Sequence, residues 1–473
     1  MASVIDGAVG LVLAAGGGSR FGGGKMLARV GGRPILQRVL DALSAAGIED
    51  VVVVLGTDAE AIEPMIAWRA ERRVVNPEPE HGLSSSLRVG MDAIGPDASA
   101  ALIVLGDQPL LSVDVIRSLI SHAVDGERPI VVPTYAHGQG RNPVLLRNSA
   151  FRFATDAAGD RGLGPILAEH PELVLEVPVA GDNPDVDTDA DLAAAAESLW
   201  AAQVRANRDQ VERIREVPDG ADFYAPVRSL FRADPTRTED PVLDVLLRLV
   251  RSGETWLDIG AGAGRFALPL ARALDDSGGS VVALDASRSM LESLREIADD
   301  HAIENVSTIE GRWPPADRRS ISGLDVDVAL IAHVGYDIES IGTFLDGMES
   351  AARRSCVAVM MERMPAAAAD PFWPYVHGET RVALPALSDL IDLLVARGRR
   401  PIVERVTAEA RRFESRHSLE SFARRQLWID PAGPKESRLV AALDEIALED
   451  GEGWTIAGRD PSEIGVVTWA PGG

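Results

Sequence analysis

Residues 11–27 read LVLAAGGGSRFGGGKML, an apolar run that breaks straight into a glycine-rich loop carrying Ser19, Arg20 and Lys25. Such a loop at a strand exit can wrap backbone N–H groups around a polyphosphate, because glycine lets the main chain approach closely. Arg20 can fork onto phosphate oxygens and Lys25 can add a point charge. A second and different glycine motif, LDIGAGAG, occupies residues 257–264. Two unlike ligand loops in one chain point to two fused enzymes, and 473 residues are too many for one ordinary core.

The pattern around each loop is the same. Residues 10–15, 51–56, 101–107 and 130–135 are short β-branched runs that predict buried parallel strands. Helical patterns at 34–46, 84–94 and 113–123 lie between them. The alternation predicts a doubly wound α/β sheet. A glycine-free stretch at 191–217 predicts one or two long connecting helices. Strands then resume at 255–260, 281–286, 326–333 and 356–361, with a helix at 265–274. The fold class expected is α/β, with two doubly wound Rossmann-like three-layer domains. The domains expected are 1–195, a helical linker at 196–217, and 218–473. Beyond about residue 385 the pattern yields only helices and a final strand near 465–470.

A formal net charge of −25 argues against a general nucleic-acid binder, which needs a basic face. The single cysteine, Cys356, sits in an apolar run and reads as core; it rules out an internal disulfide and a cysteine-based zinc site. No apolar run is long enough to span a bilayer and the N-terminus carries no basic leader, so the expectation is a cytoplasmic protein with no membrane partner.

The opening loop is neither a Walker A sequence nor a dinucleotide GxGxxG unit. Downstream, LGDQP at 105–109 puts Asp107 at the carboxyl end of a buried strand, where an open α/β sheet binds ligands. Magnesium takes one or two carboxylates with phosphate oxygens and water, and Asp107 suits it. DVDT at 185–188 offers Asp185 and Asp187 on an extended segment, either to complete that site or to cap the helix that follows.

These elements, with HGLSSSLRVG (81–90), GRNPVLL (140–146) and GDRGLGPIL (159–167), resemble the MobA-like nucleotidyltransferases, and among them the molybdenum cofactor cytidylyltransferases. The resemblance covers about the first 195 residues. It implies attack of a pterin's terminal phosphate on the α-phosphate of a nucleotide, with release of pyrophosphate. Arg20, Lys25 and Asp107 would carry catalysis. Ala14, Ala15, Gly16, Gly17, Ser19, Arg20, Lys25, Ser85 and Ser86 would hold the nucleotide, and Ser84 belongs to the same turn. Arg141, Asn142 and Asp160 would line the pterin side, and Asp107 with Asp187 would hold Mg2+. Ala14–Ala15 resembles the cytidylyl branch and so implies CTP, whereas the guanylyl branch more often has a glycine there. The triple glycine 22–24 departs from the family pattern and raises the ordering cost of the loop. A molybdenum hydroxylase receiving the finished cofactor is the protein partner implied.

Asp285 ends the strand after the second glycine motif, 21 residues beyond Gly264, where an acid can accept both ribose hydroxyls of an adenosine. With Asp258 inside the motif and Ala286–Ser287 after Asp285, this half resembles class I S-adenosylmethionine-dependent methyltransferases. The resemblance implies that Asp258, Gly260, Gly262 and Gly264 border the methionine part and Asp285 and Ala286 the ribose. Gly311 and Arg312, beside Trp313, would border the adenine. His333 would face the methyl acceptor as a base or a wall residue. The expected cofactor and co-substrates are thus Mg2+, CTP and S-adenosylmethionine. The alternative is a guanylyl or sugar-phosphate nucleotidyltransferase with a non-catalytic S-adenosylmethionine sensor.

Overall fold

The computed structural model describes residues 7–16, 21, 23–136, 140–157, 159–160, 162–218, 232–315, 325–409, 411–458 and 461–472. The chain divides into two compact units, 1–199 and 200–473.

In the first unit, β1 (Ala8–Ala14), β2 (Val51–Leu55), β3 (Arg72–Val75), β4 (Ala100–Leu105), β5 (Ile130–Tyr135), β6 (Val144–Arg147) and β7 (Val174–Val179) form a seven-stranded sheet ordered β3-β2-β1-β4-β6-β5-β7. Helices α1 (Ile35–Ala46), α2 (Leu83–Ile94) and α3 (Val113–Asp125) flank it. Successive side chains of β1 face opposite ways, as strand geometry requires. Val12 and Ala14 pack with Leu36, Leu40 and Leu119 of α1 and α3, while Leu11 and Leu13 pack with Leu87 and Met91 of α2. Burial on both faces explains why β2 is the unbroken run VVVVL. Helix α1 stops at Gly47, whose left-handed backbone returns its N–H to the carbonyls of Leu43 and Ser44.

All pairings in this sheet are parallel except those of β6, which runs antiparallel to both β4 and β5. Alternation of strands and helices does not announce that reversal, and residues 144–147 were expected only as part of a loop motif.

A single helix, α4 (Asp189–Ile214), fills the stretch expected as one or two connecting helices. The second unit holds β8 (Thr255–Ile259), β9 (Ser280–Asp285), β10 (Val306–Glu310), β11 (Val326–Ala332), β12 (Ala352–Met361), β13 (Ile402–Ala408) and β14 (Ser462–Trp469), ordered β10-β9-β8-β11-β12-β14-β13. The first five strands follow a doubly wound parallel order. β14 then inserts antiparallel between β12 and β13. Helices α5 (Pro241–Leu249), α6 (Ala267–Asp275), α7 (Arg288–Asp300) and α8 (Ile341–Ala351) clothe this sheet. Trp256, Leu268, Leu294 and Val357 belong to one shared core. A further apolar cluster joins Phe372, Trp373, Phe413, Leu419 and Leu443, drawn mostly from the region beyond 385, where the pattern yielded only helices and a final strand.

Both architectures are the expected α/β sheets. No described helix is long and apolar enough to cross a membrane.

Candidate active sites

β1 and β4 are parallel neighbours with Leu13 opposite Leu105, so the glycine loop and the LGDQP segment leave the sheet side by side. The Gly106 N–H donates to the Leu13 carbonyl at 2.9 Å. A β-carbon on Gly106 would come within 2.8 Å of the Ala14 side chain, so only glycine allows this close passage. Gly17, Ser19 and Arg20 lie outside the described residues. Ala14 and Ala15 are buried at the strand end, and Gly16 has open space around its Cα.

Lys25 stands between the two carboxylates expected to hold a metal. Its Nζ donates to Asp107 Oδ2 at 2.6 Å and to Asp187 Oδ1 at 2.7 Å. The lysine side chain is only 8% exposed. Burial works against its charge, but Asp107 and then Asp187 outweigh it and the ammonium is pushed up. The choice left open for the DVDT segment resolves by division of labour. Thr188 Oγ1 accepts from the Asp191 N–H at 3.2 Å, and Asp191 Oδ2 accepts from the Thr188 N–H at 2.8 Å, a reciprocal cap at the start of α4. Thr188 caps the helix and leaves the Asp187 carboxylate for Lys25.

Asp185 turns the other way. Its Oδ1 accepts from Gln108 Nε2 at 2.7 Å. Burial, and after it the like charge of Asp107, push its carboxyl up. Gln108 also donates to the Asn183 carbonyl at 3.0 Å, and the Val186 N–H donates to the Asp107 carbonyl at 3.0 Å. These bonds clip the 183–187 segment beside the strand end. Gln108 was overlooked as a positioning residue because its partners lie more than seventy positions away.

Asp107 Oδ1 is buried and, among the described residues, has no hydrogen-bond partner. Among the described residues no group of three or more acidic, histidine or cysteine side chains forms a complete metal cage. Two carboxylates with one orphaned oxygen fit a hard cation that takes its other ligands from phosphate and water, which is how magnesium is usually held.

Ser84, Ser85 and Ser86 are buried in the first turn of α2. Asn76 Nδ2 donates to the hydroxyls of Ser85 and Ser86 at 2.8 and 2.9 Å, so as placed they brace the turn from inside. A β-carbon on Gly82, whose φ is +88°, would lie 2.1 Å from Asp160 Oδ1, which brings Asp160 against the same turn. Arg141 and Asn142 line a pocket of about 240 Å³ whose other walls are mainly apolar, including Leu13, Leu87, Leu105 and Leu163. Arg141 also pairs with Glu176 at 3.0 Å. Asp160 is exposed and outside that lining.

In the second unit, Gly260, Gly262 and Gly264 have φ of +77°, +55° and +84°, a conformation that admits little but glycine. The Gly262 N–H donates to Asp285 Oδ2 at 2.8 Å and the Ser287 N–H to Asp285 Oδ1 at 2.7 Å. One carboxylate therefore ties the glycine loop to the start of α7. The loop opens on a cleft of about 1070 Å³ lined by Asp258, Gly260, Gly262, Asp285, Ala286, Gly311, Arg312 and His333 among others. Gly264 is not in the lining. A β-carbon there would lie 2.8 Å from Leu268 and 2.9 Å from Leu294, so its part is to let helices and loop close up. Trp313 lines the cleft and donates from Nε1 to the Phe344 carbonyl at 3.2 Å.

His333 adopts φ +57°, and its Nδ1 is buried without a partner among the described residues. Burial, then the positive charge of Arg265, push the imidazole down to about 4, so it is neutral at pH 7. Sequence reasoning missed Arg237, Asp240, Arg265 and Arg411 on the cleft wall. Asp240 Oδ2 accepts from Arg237 at 3.0 Å and Arg265 at 2.8 Å, and its Oδ1 caps α5 through the Leu243 N–H. The Asp-Pro start of α5 was the signal that could have marked Asp240.

Asp258 is 2% exposed, and its Oδ1 has no hydrogen-bond partner among the described residues. Burial, and after it the like charge of Asp285, push its carboxyl up to about 7. The folded state thus holds this proton more tightly than the unfolded chain, whose Asp ionises near pH 3.9. The ligand-free fold therefore loses stability as pH rises from about 4 to about 7. A ligand ammonium group seated on Asp258 needs the ionised form. Calorimetric titration with S-adenosylhomocysteine should accordingly show affinity rising about tenfold from pH 6 to pH 8. Asp258→Asn should flatten that slope; an unchanged slope in the variant would remove Asp258 from the ligand.

A MobA-like NTP transferase domain model matches residues 10–174, and a methyltransferase domain model matches 250–365. Nicotine blue oxidoreductase of Paenarthrobacter nicotinovorans is 31% identical over 191 residues, which are 38% of this chain and 91% of that protein. The bifunctional protein GlmU of Mycobacterium avium is 38% identical over 129 residues, 26% of each chain, so only about a quarter of that relative's length is spanned. The crystal structure of Rv0371c from Mycobacterium tuberculosis H37Rv aligns at 31% identity with a TM-score of 0.38, covering 42% of this chain and all of that one. The chain belongs to the MobA-like NTP transferase family through its first unit and carries a methyltransferase domain in its second.

Proposed function

We propose that the first unit transfers CMP from CTP to a molybdopterin-type cofactor with release of pyrophosphate, and that the second transfers a methyl group from S-adenosylmethionine. The observation that carries the first half is the buried Lys25 held between Asp107 and Asp187, with Asp107 Oδ1 left open. Transfer of a nucleotidyl group needs no protein nucleophile; positioning and charge neutralisation suffice. Asp107 and Asp187 would hold Mg2+, which when bound neutralises phosphate charge. Lys25 is within reach of the same locus and supplies a cation to the triphosphate. Gln108 keeps the acidic segment in place by its bonds to Asn183 and Asp185.

The pocket beside Asn142, with Arg141 and Asn142 as its polar lining, supports an acceptor with an apolar body. Its walls are mainly leucine and isoleucine, which leave sugar hydroxyls without partners. The similarity to GlmU favours a second reading, a sugar-phosphate acceptor. In the second unit the alternative is an S-adenosylmethionine sensor without methyl transfer. A molybdenum hydroxylase in the cytoplasm would be the recipient under the first reading.

The test is pyrophosphate release by the full chain with Mg2+ and molybdopterin, comparing CTP, GTP, UTP and ATP, with glucosamine 1-phosphate as a rival acceptor. CTP with molybdopterin should exceed every other pair by at least about tenfold. Release only with the sugar phosphate, or none with any pair, would replace this reading.

A further inference from the structure

The cleft in the second unit is far larger than its glycine loop, and its opposite wall has a chemistry of its own. β13 runs parallel to β12 and β8, because β14 is antiparallel to both β12 and β13. Val406 and Thr407 therefore stand at the same carboxyl edge as the glycine loop. They lie four strand positions away, about 19 Å at ordinary strand spacing. Met361, Pro365, Val406 and Ile464 make this wall apolar.

Arg411 supplies its charge. Arg237 and Arg265, on the same cleft, share Asp240, and the adjacent Arg412 pairs with Asp450 and Glu452. Arg411 is exposed and, among the described residues, has no carboxylate or hydrogen-bond partner. Its guanidinium lies 5.2 Å from the ring centroid of Phe413 and 4.6 Å from that of Phe422. Stacking on two rings rooted in the helical cluster holds the cation in place, and among the described residues its N–H groups have no acceptor. The acidic residues Glu239 and Asp337 also line the cleft, and neither pairs with Arg411.

We propose that the methyl acceptor is a small anionic molecule with an apolar body, its carboxylate or phosphate held by Arg411 and its body against Met361, Pro365, Val406 and Ile464. The inference rests on reading the glycine-loop side as the S-adenosylmethionine site. Arg411 is a binding residue here and takes no part in the methyl transfer itself. An acceptor oriented by a charge at one end and an apolar wall along its length needs little else for transfer.

The probes are two dyes that share an aromatic body: 8-anilinonaphthalene-1-sulfonate, which is an anion, and N-phenyl-1-naphthylamine, which is neutral. Fluorescence titration of the full chain saturated with S-adenosylhomocysteine should show one anionic-dye site. Arg411→Gln should weaken the sulfonate about tenfold or more, while leaving the neutral dye and S-adenosylhomocysteine within about twofold. Arg411→Lys should retain most of the sulfonate affinity, and Val406→Trp should weaken both dyes by filling the wall. Equal sulfonate binding by wild type and Arg411→Gln, or no sulfonate binding to the loaded wild type, overturns the inference while the donor site stands. Failure of S-adenosylhomocysteine itself to bind removes the donor-site reading and this inference with it.

Discussion

Asp107→Ala is expected to lower magnesium-dependent pyrophosphate release by about 10³-fold, equivalent to about 4 kcal/mol of transition-state stabilisation. The variant loses Oδ1, a buried oxygen with no hydrogen-bond partner among the described residues, and Oδ2, which holds Lys25 at 2.6 Å. It therefore removes the carboxylate proposed to hold the metal, and with it half of the clamp on Lys25. The backbone bond from Val186 to the Asp107 carbonyl survives, so the acidic segment keeps its tether. Asp107→Asn keeps the shape and removes the charge, and should fall almost as far. Release is measured by a coupled pyrophosphate assay, with thermal melts to show that both variants fold. A folded Asp107→Ala chain with near wild-type release would discard the metal assignment.

Asp285→Ala should weaken S-adenosylhomocysteine binding by about 100-fold, or about 3 kcal/mol. The carboxylate accepts from two backbone N–H groups, at 2.8 Å from Gly262 and 2.7 Å from Ser287, so its loss frees the glycine loop as well as removing the ribose contact proposed for it. A second readout separates this residue from a general weakening of the site. Asp285 is the like charge that, after burial, raises the Asp258 carboxyl. Removing it should move the midpoint of the pH-dependent affinity downward from about 7. A variant that binds as wild type, or that weakens with an unmoved midpoint, would break the link between the two aspartates.

The sequence made the parallel strands legible because they are buried on both faces. VVVVL at β2 and the apolar run of β4 admit no amphipathic alternative. The edge strands were harder. β3 reads RRVV and β10 reads VSTIE, and both are exposed or half-buried, so their sequences lack the apolar signature of a core. β6 was concealed for another reason: its direction follows from the loop before it, and direction leaves no mark on four apolar residues.

The candidate sites divide in the same way. Both glycine loops, Asp107, Asp187, Asp258 and Asp285 could be singled out from residue type and spacing. The contacts that give them their chemistry could not. Lys25 meets carboxylates 82 and 162 positions away, and Asp258 feels Asp285 across a strand pair. Arg411 gains its setting from Phe413 and Phe422, in a stretch where the pattern showed helices but not which side chains meet.

The sequence by itself determined two α/β units, each with a ligand loop at a strand exit, because burial and glycine conformation are local demands written residue by residue. Only the tertiary structure decided which charges share a space: Lys25 between two aspartates, Asp258 beside Asp285, Arg411 with no paired acid among the described residues. Electrostatic energy depends on distance and burial, and folding alone sets both.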